Sequence, residues 1–236
     1  MVKEIIRNHL IPRENYLFGF ANLSGLIDEK FGDYVYGISI GKKLDDFIVD
    51  GIQEGPTIEY HKHYNEVNRA LLELSEKISE SLNKENIQTK IIRPTVTTKE
   101  LDTIYNETLR TELSHKMVAT RAGLGWIGKT GLLVTRVFGT RLRLTTILTN
   151  TPLIAESKPF DMSLCGNCNI CVVKCPAEAA NGKLWNILVD RDKFFDAQKC
   201  RKKARELAKE RLNSNVRICG ICVAVCPIGI KTTAGG

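Results

Sequence analysis

Hydrophobic positions along the first two thirds of the chain repeat with a period that changes from segment to segment. Residues 34–41, YVYGISIG, alternate apolar with polar or small side chains, the pattern of a half-buried strand. Val67, Leu71, Leu74, Ile78 and Leu82 recur at steps of three and four, which predicts a helix over 64–83 with one apolar face. The polar run NKEN at 83–86 ends it, and IQTKIIRP at 87–94 reads as a strand stopped by Pro94. Residues 98–121 are charged, with Leu101, Ile104, Tyr105 and Leu109 at helical spacing, and SHKMVATR at 114–121 is helical in pattern. It runs into the glycine-rich stretch AGLGWIGKT at 122–130. Beyond it, GLLVTRVFG is rich in β-branched residues and LRLTTILTN at 142–150 alternates, which predicts two strands joined by a turn near Gly139.

The pattern dissolves at 151–160, TPLIAESKPF, where Pro152 and Pro159 punctuate an irregular stretch. This divides the chain into an α+β domain over 1–155 and a cysteine-rich, basic domain over 156–236. Of the 236 residues 43% are hydrophobic and 26% charged, the balance of a globular protein with a real core. No apolar run approaches the roughly 18–20 residues of a membrane span. The N-terminus, MVKEIIRNHLIPREN, is charged throughout and has no signal-peptide pattern, so the expectation is a cytoplasmic protein with no membrane partner. The net charge of +7 suits nucleic acid, an anionic cofactor or an acidic protein, and equally suits no such partner.

Cysteine placement changes the picture. All eight cysteines lie between Cys165 and Cys226. Residues 165–176, CGNCNICVVKCP, have the spacing C-x2-C-x2-C-x3-C-P, with Cys165, Cys168, Cys171 and Cys175. Residues 219–227, CGICVAVCP, supply Cys219, Cys222 and Cys226, and Cys200 lies upstream as the eighth. Such clustering points to metal ligation rather than disulfides. Zinc sites prefer paired C-x2-C units, often with histidine, and no histidine follows His115. The first run resembles that of bacterial-type ferredoxins, whose thiolates hold 4Fe–4S cubanes. Steps of three let a tight loop wrap three corners of one cubane. In two-cluster ferredoxins the fourth cysteine, beside proline, serves the neighbouring cluster. That resemblance implies crossed ligation, with Cys165, Cys168, Cys171 and Cys226 on one cluster and Cys200, Cys219, Cys222 and Cys175 on the other. Between the two motifs, KCRKKARELAKER at 199–211 reads as a basic helix, either a solvated face or a docking face for an acidic partner or RNA backbone.

Residues 123–130 formally satisfy G-x-x-x-x-G-K-[ST], the phosphate-cradling pattern of nucleotide-hydrolysing proteins. That chemistry needs a strand before the glycines and a helix after the Lys-Thr pair. Here the order is reversed, which argues against it. What remains is a glycine-rich turn in which Trp126 looks exposed, able to let a flat ligand approach the backbone; a tight turn with Trp126 in the core is the alternative.

RAGLGWIGKTGLLVTRVFGT, then ILTNTPL, then the two cysteine motifs, resemble epoxyqueuosine reductase in identity and order over roughly 110–230, and reductive dehalogenases more distantly. The resemblance implies a nitroreductase-like cobalamin-binding domain followed by a bacterial-type two-cluster ferredoxin-like domain, in a short form without the C-terminal helical repeats. It implies a cobalamin- and iron–sulfur-dependent oxidoreductase, fed by a ferredoxin- or flavodoxin-type donor, that passes low-potential electrons through two 4Fe–4S clusters to a bound corrinoid. It places Gly123, Gly125, Trp126, Gly128 and Lys129 at the cobalamin site, and tRNA or a corrinoid protein among the partners. An electron-transfer protein that reduces a partner's corrinoid, with no organic substrate of its own, is the second reading. Where the family has a VDTG-like stretch with a proton-donating Asp, this chain reads LRTE at 109–112, with Leu109 in the acidic place. Tyr105, Glu107, Glu112 and His115 are the polar residues nearby, and no catalytic residue is assigned. His61 and His63, in EYHKHYN, are expected in a surface loop.

Overall fold

Strand β2 (Tyr36–Lys43) forms where the alternating stretch predicts it, and pairs antiparallel with β1 (Tyr16–Asn22), Tyr16 opposite Lys42 and Asn22 opposite Tyr36. Strand β3 (Thr89–Ile92) pairs antiparallel with β6 (Leu142–Thr149), and the sheet runs β1-β2-β6-β3. The computed structural model describes residues 1–96 and 103–229, so Leu101 of the charged stretch lies outside the described residues.

Helix α3 (Ile58–Lys84) buries Val67, Leu71, Leu74, Ile78 and Leu82, the stripe read from the sequence. The Ser75 hydroxyl lies 3.0 Å from that of Thr145, so the helix covers β6. The helix starts earlier than 64 because Thr57 caps it: its hydroxyl accepts the Tyr60 amide N–H at 3.1 Å. His61 and His63 are therefore helical and not in a loop. Two residues apart on a helix, they point about 200° apart and cannot share a ligand. His63 instead accepts the Asp45 amide N–H at 3.0 Å.

The expected helix across 98–121 is interrupted. Helix α4 (Thr103–Thr108) ends at Leu109, which adopts φ 51°, and α5 (His115–Arg121) restarts after the Ser114 cap, whose hydroxyl accepts the Met117 amide. Helix α5 packs on β1 and β2. Close approach requires glycine in both strands. A Cβ on Gly19 would stand 2.9 Å from the Ala122 carbonyl, and one on Gly37 2.8 Å from the Val118 side chain. Ala21, Leu23, Phe31, Leu113, Val118, Ala122 and Leu148 form the core beneath.

The chain divides into two compact units that interleave along the sequence. The sheet just described belongs to the unit built from Met1–Lys43, Asn65–Leu124 and Arg143–Phe160. The other takes Leu44–Tyr64, Gly125–Leu142 and Asp161–Gly236. In the second unit α2 (Asp46–Asp50) packs on α8 (Ile221–Ala224). Arg141, its side chain 3% exposed, joins them: it lies 2.6 Å from Asp50 and 3.3 Å from Asp46, and donates to the Ala224 carbonyl at 3.1 Å. Also in this unit are α6 (Ile170–Val173) and the basic α7 (Ala197–Leu212), the helix read at 199–211.

One strand prediction needs correcting. GLLVTRVFG yields only β5 (Leu133–Val134), which pairs antiparallel with β4 (Trp126–Ile127) inside the glycine-rich stretch, and not with β6. Thr135 and Gly139 exchange both backbone hydrogen bonds, at 2.8 and 2.9 Å, which closes a tight turn and ends the strand. Gly139 sits at φ 54° directly against the Ile228 carbonyl, where no Cβ fits.

Candidate metal centre

Each cysteine owes its position to a short turn or helix end. Cys165 and Cys168 sit in the turn ahead of α6, Cys171 is on that helix, and Cys175 follows its C-cap, Lys174. Cys200 lies in the first turns of α7, whose N-cap Asp196 accepts the Lys199 amide at 2.9 Å. Cys222 is on α8, flanked by Cys219 and Cys226. Between Cys219 and α8, Gly220 takes φ 91° at the N-cap; a side chain there would stand 2.4 Å from Ile52 and 2.9 Å from Tyr60. Helices α6 and α8 pack together, which brings the two motifs side by side.

The thiols sort into two groups by which of them crowd one another. Burial pushes the Cys171 thiol up to about 11, with Cys226, Cys165 and Cys168 adding to the rise and the Thr130 hydroxyl opposing it through a hydrogen bond. Burial also raises Cys226, against hydrogen bonds from the Ile228 N–H and Thr140, and Cys165 and Cys168 add to it. Cys222 is raised by burial, then by Cys219, Cys200, Cys171 and Cys175. Cys219 is raised by burial, held back by the Ile221 N–H, and raised further by Cys175. So Cys226 keeps company with the first motif and Cys175 with the second. Cys171 acting on Cys222 is the one cross-term, as contact between α6 and α8 requires. Crowded, desolvated thiols resist ionising; cationic iron removes that resistance, so the donor set fits a polynuclear thiolate-bound cluster. Among the described residues no three His, Cys, Asp or Glu side chains close around a point that would take a single metal ion.

The glycine-rich stretch is divided between the units, after Leu124. In the first unit Gly123, at φ 69°, lies against Ser157 and the Lys158 carbonyl. In the second, a Cβ on Gly125 would stand 2.2 Å from the Val134 carbonyl oxygen, and one on Gly128 2.9 Å from the Val134 side chain. Each glycine is thus filled by the chain's own atoms and makes no cradle for a ligand. Trp126 is not exposed as expected: it is 3% exposed, and its indole Nε1–H donates to Cys165 Sγ at 3.4 Å. Pairing with β5 turns the ring inward. Lys129, also 3% exposed, donates to Asn169 Oδ1 at 2.7 Å. The five residues read as one cobalamin site are not gathered into one side-chain surface. Trp126 and Lys129 serve the cysteine motif. The residues after Thr130 form β5 rather than a helix, as the argument against a phosphate loop requires.

Of the polar residues near the missing Asp, His115 is structural. Burial lowers its ionisation to about 4, with Arg143 and Lys116 adding and the Arg93 carbonyl opposing. The imidazole is neutral; Nε2–H donates to the Arg93 carbonyl at 2.8 Å and Nδ1 accepts from the Thr146 hydroxyl at 2.9 Å. Glu112 pairs with Lys30 at 2.9 Å. Tyr105 and Glu107 lie on α4.

The sheet-and-helix unit and the paired thiol groups define an iron–sulfur protein of mixed α and β structure. Residues 164–229, which hold every cysteine, match the 4Fe–4S double cluster binding domain. Within that class the chain resembles epoxyqueuosine reductase. It is 37% identical over 117 residues to the enzyme of Lactococcus garvieae, an alignment covering 47% of this chain and 30% of that one. A solved epoxyqueuosine reductase with an epoxyqueuosine-modified tRNA-Tyr stem loop superimposes with a TM-score of 0.59 at 19% identity, covering 96% of this chain and 64% of that one. A reductive dehalogenase studied for B12-dependent dehalogenation superimposes with a TM-score of 0.57 at 16% identity, covering 84% of this chain and 26% of that one. The fold is that of these proteins. The chain spans under a third of the length of the curated relative it matches. Among the described residues no helix is long and apolar enough to cross a membrane.

Proposed function

We propose that the chain is the electron-handling unit of a corrinoid-linked iron–sulfur reductase of the epoxyqueuosine reductase type. It takes low-potential electrons from a ferredoxin- or flavodoxin-type donor through two 4Fe–4S clusters to a corrinoid. The observation that carries the reading is that residues 164–229, with all eight cysteines, match the 4Fe–4S double cluster binding domain in a chain with the fold of epoxyqueuosine reductase; the company that Cys226 keeps with the first motif and Cys175 with the second supports the crossed ligation. The first cluster is held by Cys165, Cys168, Cys171 and Cys226, the second by Cys200, Cys219, Cys222 and Cys175. The cysteine-rich residues 156–236, with residues 44–64 and 125–142 packed into the same unit, form the cluster domain, and the remainder of residues 1–155 the part that holds the corrinoid.

The clusters supply one-electron transfer and the corrinoid a strongly reducing cobalt centre. The chain's own residues set the electron path: α6 and α8 hold the two thiol groups side by side. Trp126 and Lys129 fix the first cysteine turn. The substrate follows the relatives: a modified nucleoside presented on tRNA, the ligand of the solved epoxyqueuosine reductase.

Anaerobic reconstitution with iron, sulfide and hydroxocobalamin, then desalting and metal analysis, tests the reading. About eight irons and one cobalt per chain, with a perturbed cobalamin spectrum, is the expected result. Eight irons without cobalt would remove the corrinoid from the account.

A further inference from the structure

The stretch Trp126–Lys129 packs against the first cysteine turn. The Trp126 indole N–H points at Cys165 Sγ from 3.4 Å, on a residue buried to 3% exposure. A Cβ on Gly128 would lie 3.6 Å from the same sulfur, so the backbone closes over it. Lys129 holds Asn169, which stands between Cys168 and Cys171, by a 2.7 Å hydrogen bond.

We propose that Trp126 is a positioning residue for the first cluster, donating a hydrogen bond to its Cys165 sulfur and thereby raising that cluster's reduction potential selectively. One-electron reduction adds negative charge that spreads onto the thiolates. A donor aimed at a thiolate sulfur stabilises the more negative state. The indole donates and cannot accept, and burial keeps water from taking its place. The electron comes from the low-potential donor, and no proton is transferred. Lys129 adds a buried positive charge beside the same turn and fixes Asn169 there. The hairpin is thus an electrical element of the first cluster, which explains why its glycines are consumed by packing and not by a ligand.

This rests on the two-cluster reading, and the test separates the two. The reconstituted full chain is assayed for iron, then titrated potentiometrically with electron paramagnetic resonance detection. The wild type, Trp126→Phe and Lys129→Met are compared. About eight irons in the wild type satisfies the two-cluster reading, and a wild type with none overturns both. With full iron, each variant is expected to move the same one of two midpoints to more negative potential and leave the other in place. Loss of a donor should change that one-electron equilibrium about tenfold, which is about 59 mV. Unmoved midpoints, or equal movement of both, would overturn the inference while leaving the two clusters standing. Should Trp126→Phe lose iron, Lys129→Met, which removes the buried charge beside the same turn, decides: an unmoved midpoint there overturns it.

Discussion

His115 shows how one residue's surroundings become a property of the fold. Its ionisation falls from 6.5 to about 4 because burial disfavours the cation, and both ring nitrogens are already used. As pH falls the unfolded chain takes up the proton first. His115's contribution is therefore complete above about 6.5 and lost progressively as pH drops towards 4. The loss is on the order of 2 kcal/mol, the ring being partly open to solvent. Denaturant titrations from pH 7.5 to 4.5 should show this slope, and His115→Gln should flatten it. Gly139 makes a sharper case. Its Cα faces the Ile228 carbonyl at positive φ, so Gly139→Ala must push away the segment that follows Cys226. About half of the iron, that of the cluster containing Cys226, is expected to be lost or labile to chelator in that variant, while Val137→Ala, on an exposed neighbour, should keep it.

At the scale of elements, caps decide boundaries that periodicity leaves vague. Asp196 satisfies the Lys199 amide at the start of α7, one turn from Cys200. Asp196→Ala should cost about 1 kcal/mol in chemical denaturation, and Asp196→Asn should recover most of it. An unchanged midpoint for Asp196→Ala would mean that packing alone fixes the helix start. Legibility in the sequence follows the same division. The stripe on α3 was plain because five apolar residues at helical spacing have one stable burial. The N-terminal extension of α3 was hidden, since Thr57 and its reach to Tyr60 give no periodic signal. Strands β4 and β5 have two residues each, too short for alternation to show, and the closed turn at 135–139 makes a β-branched run look longer than its strand. Trp126 looked exposed because glycines on both sides suggest an open loop, whereas those glycines admit the Val134 backbone and side chain.

The whole molecule is read unevenly from its sequence. The eight thiols and their motifs were legible because ligand spacing is local. The division into units was not, because residues 44–64 and 125–142 join the second unit through contacts distant in sequence, such as Arg141 with Asp46, Asp50 and Ala224. That buried cation links three chain segments, so Arg141→Met is expected to destabilise the second unit by about 3 kcal/mol. Near-ultraviolet circular dichroism during thermal unfolding would detect it. A melting temperature equal to the wild type's would show that α2 and α8 are held by apolar contact alone.

The measurement that tests the account most directly is iron content in paired cysteine variants after anaerobic reconstitution. With crossed ligation, Cys165→Ala with Cys226→Ala removes two ligands of one cluster and leaves about four irons per chain. Cys222→Ala with Cys226→Ala removes a ligand from each and leaves almost none. If instead the second pair kept about four irons and the first kept almost none, each motif would serve its own cluster and the crossed arrangement would be wrong.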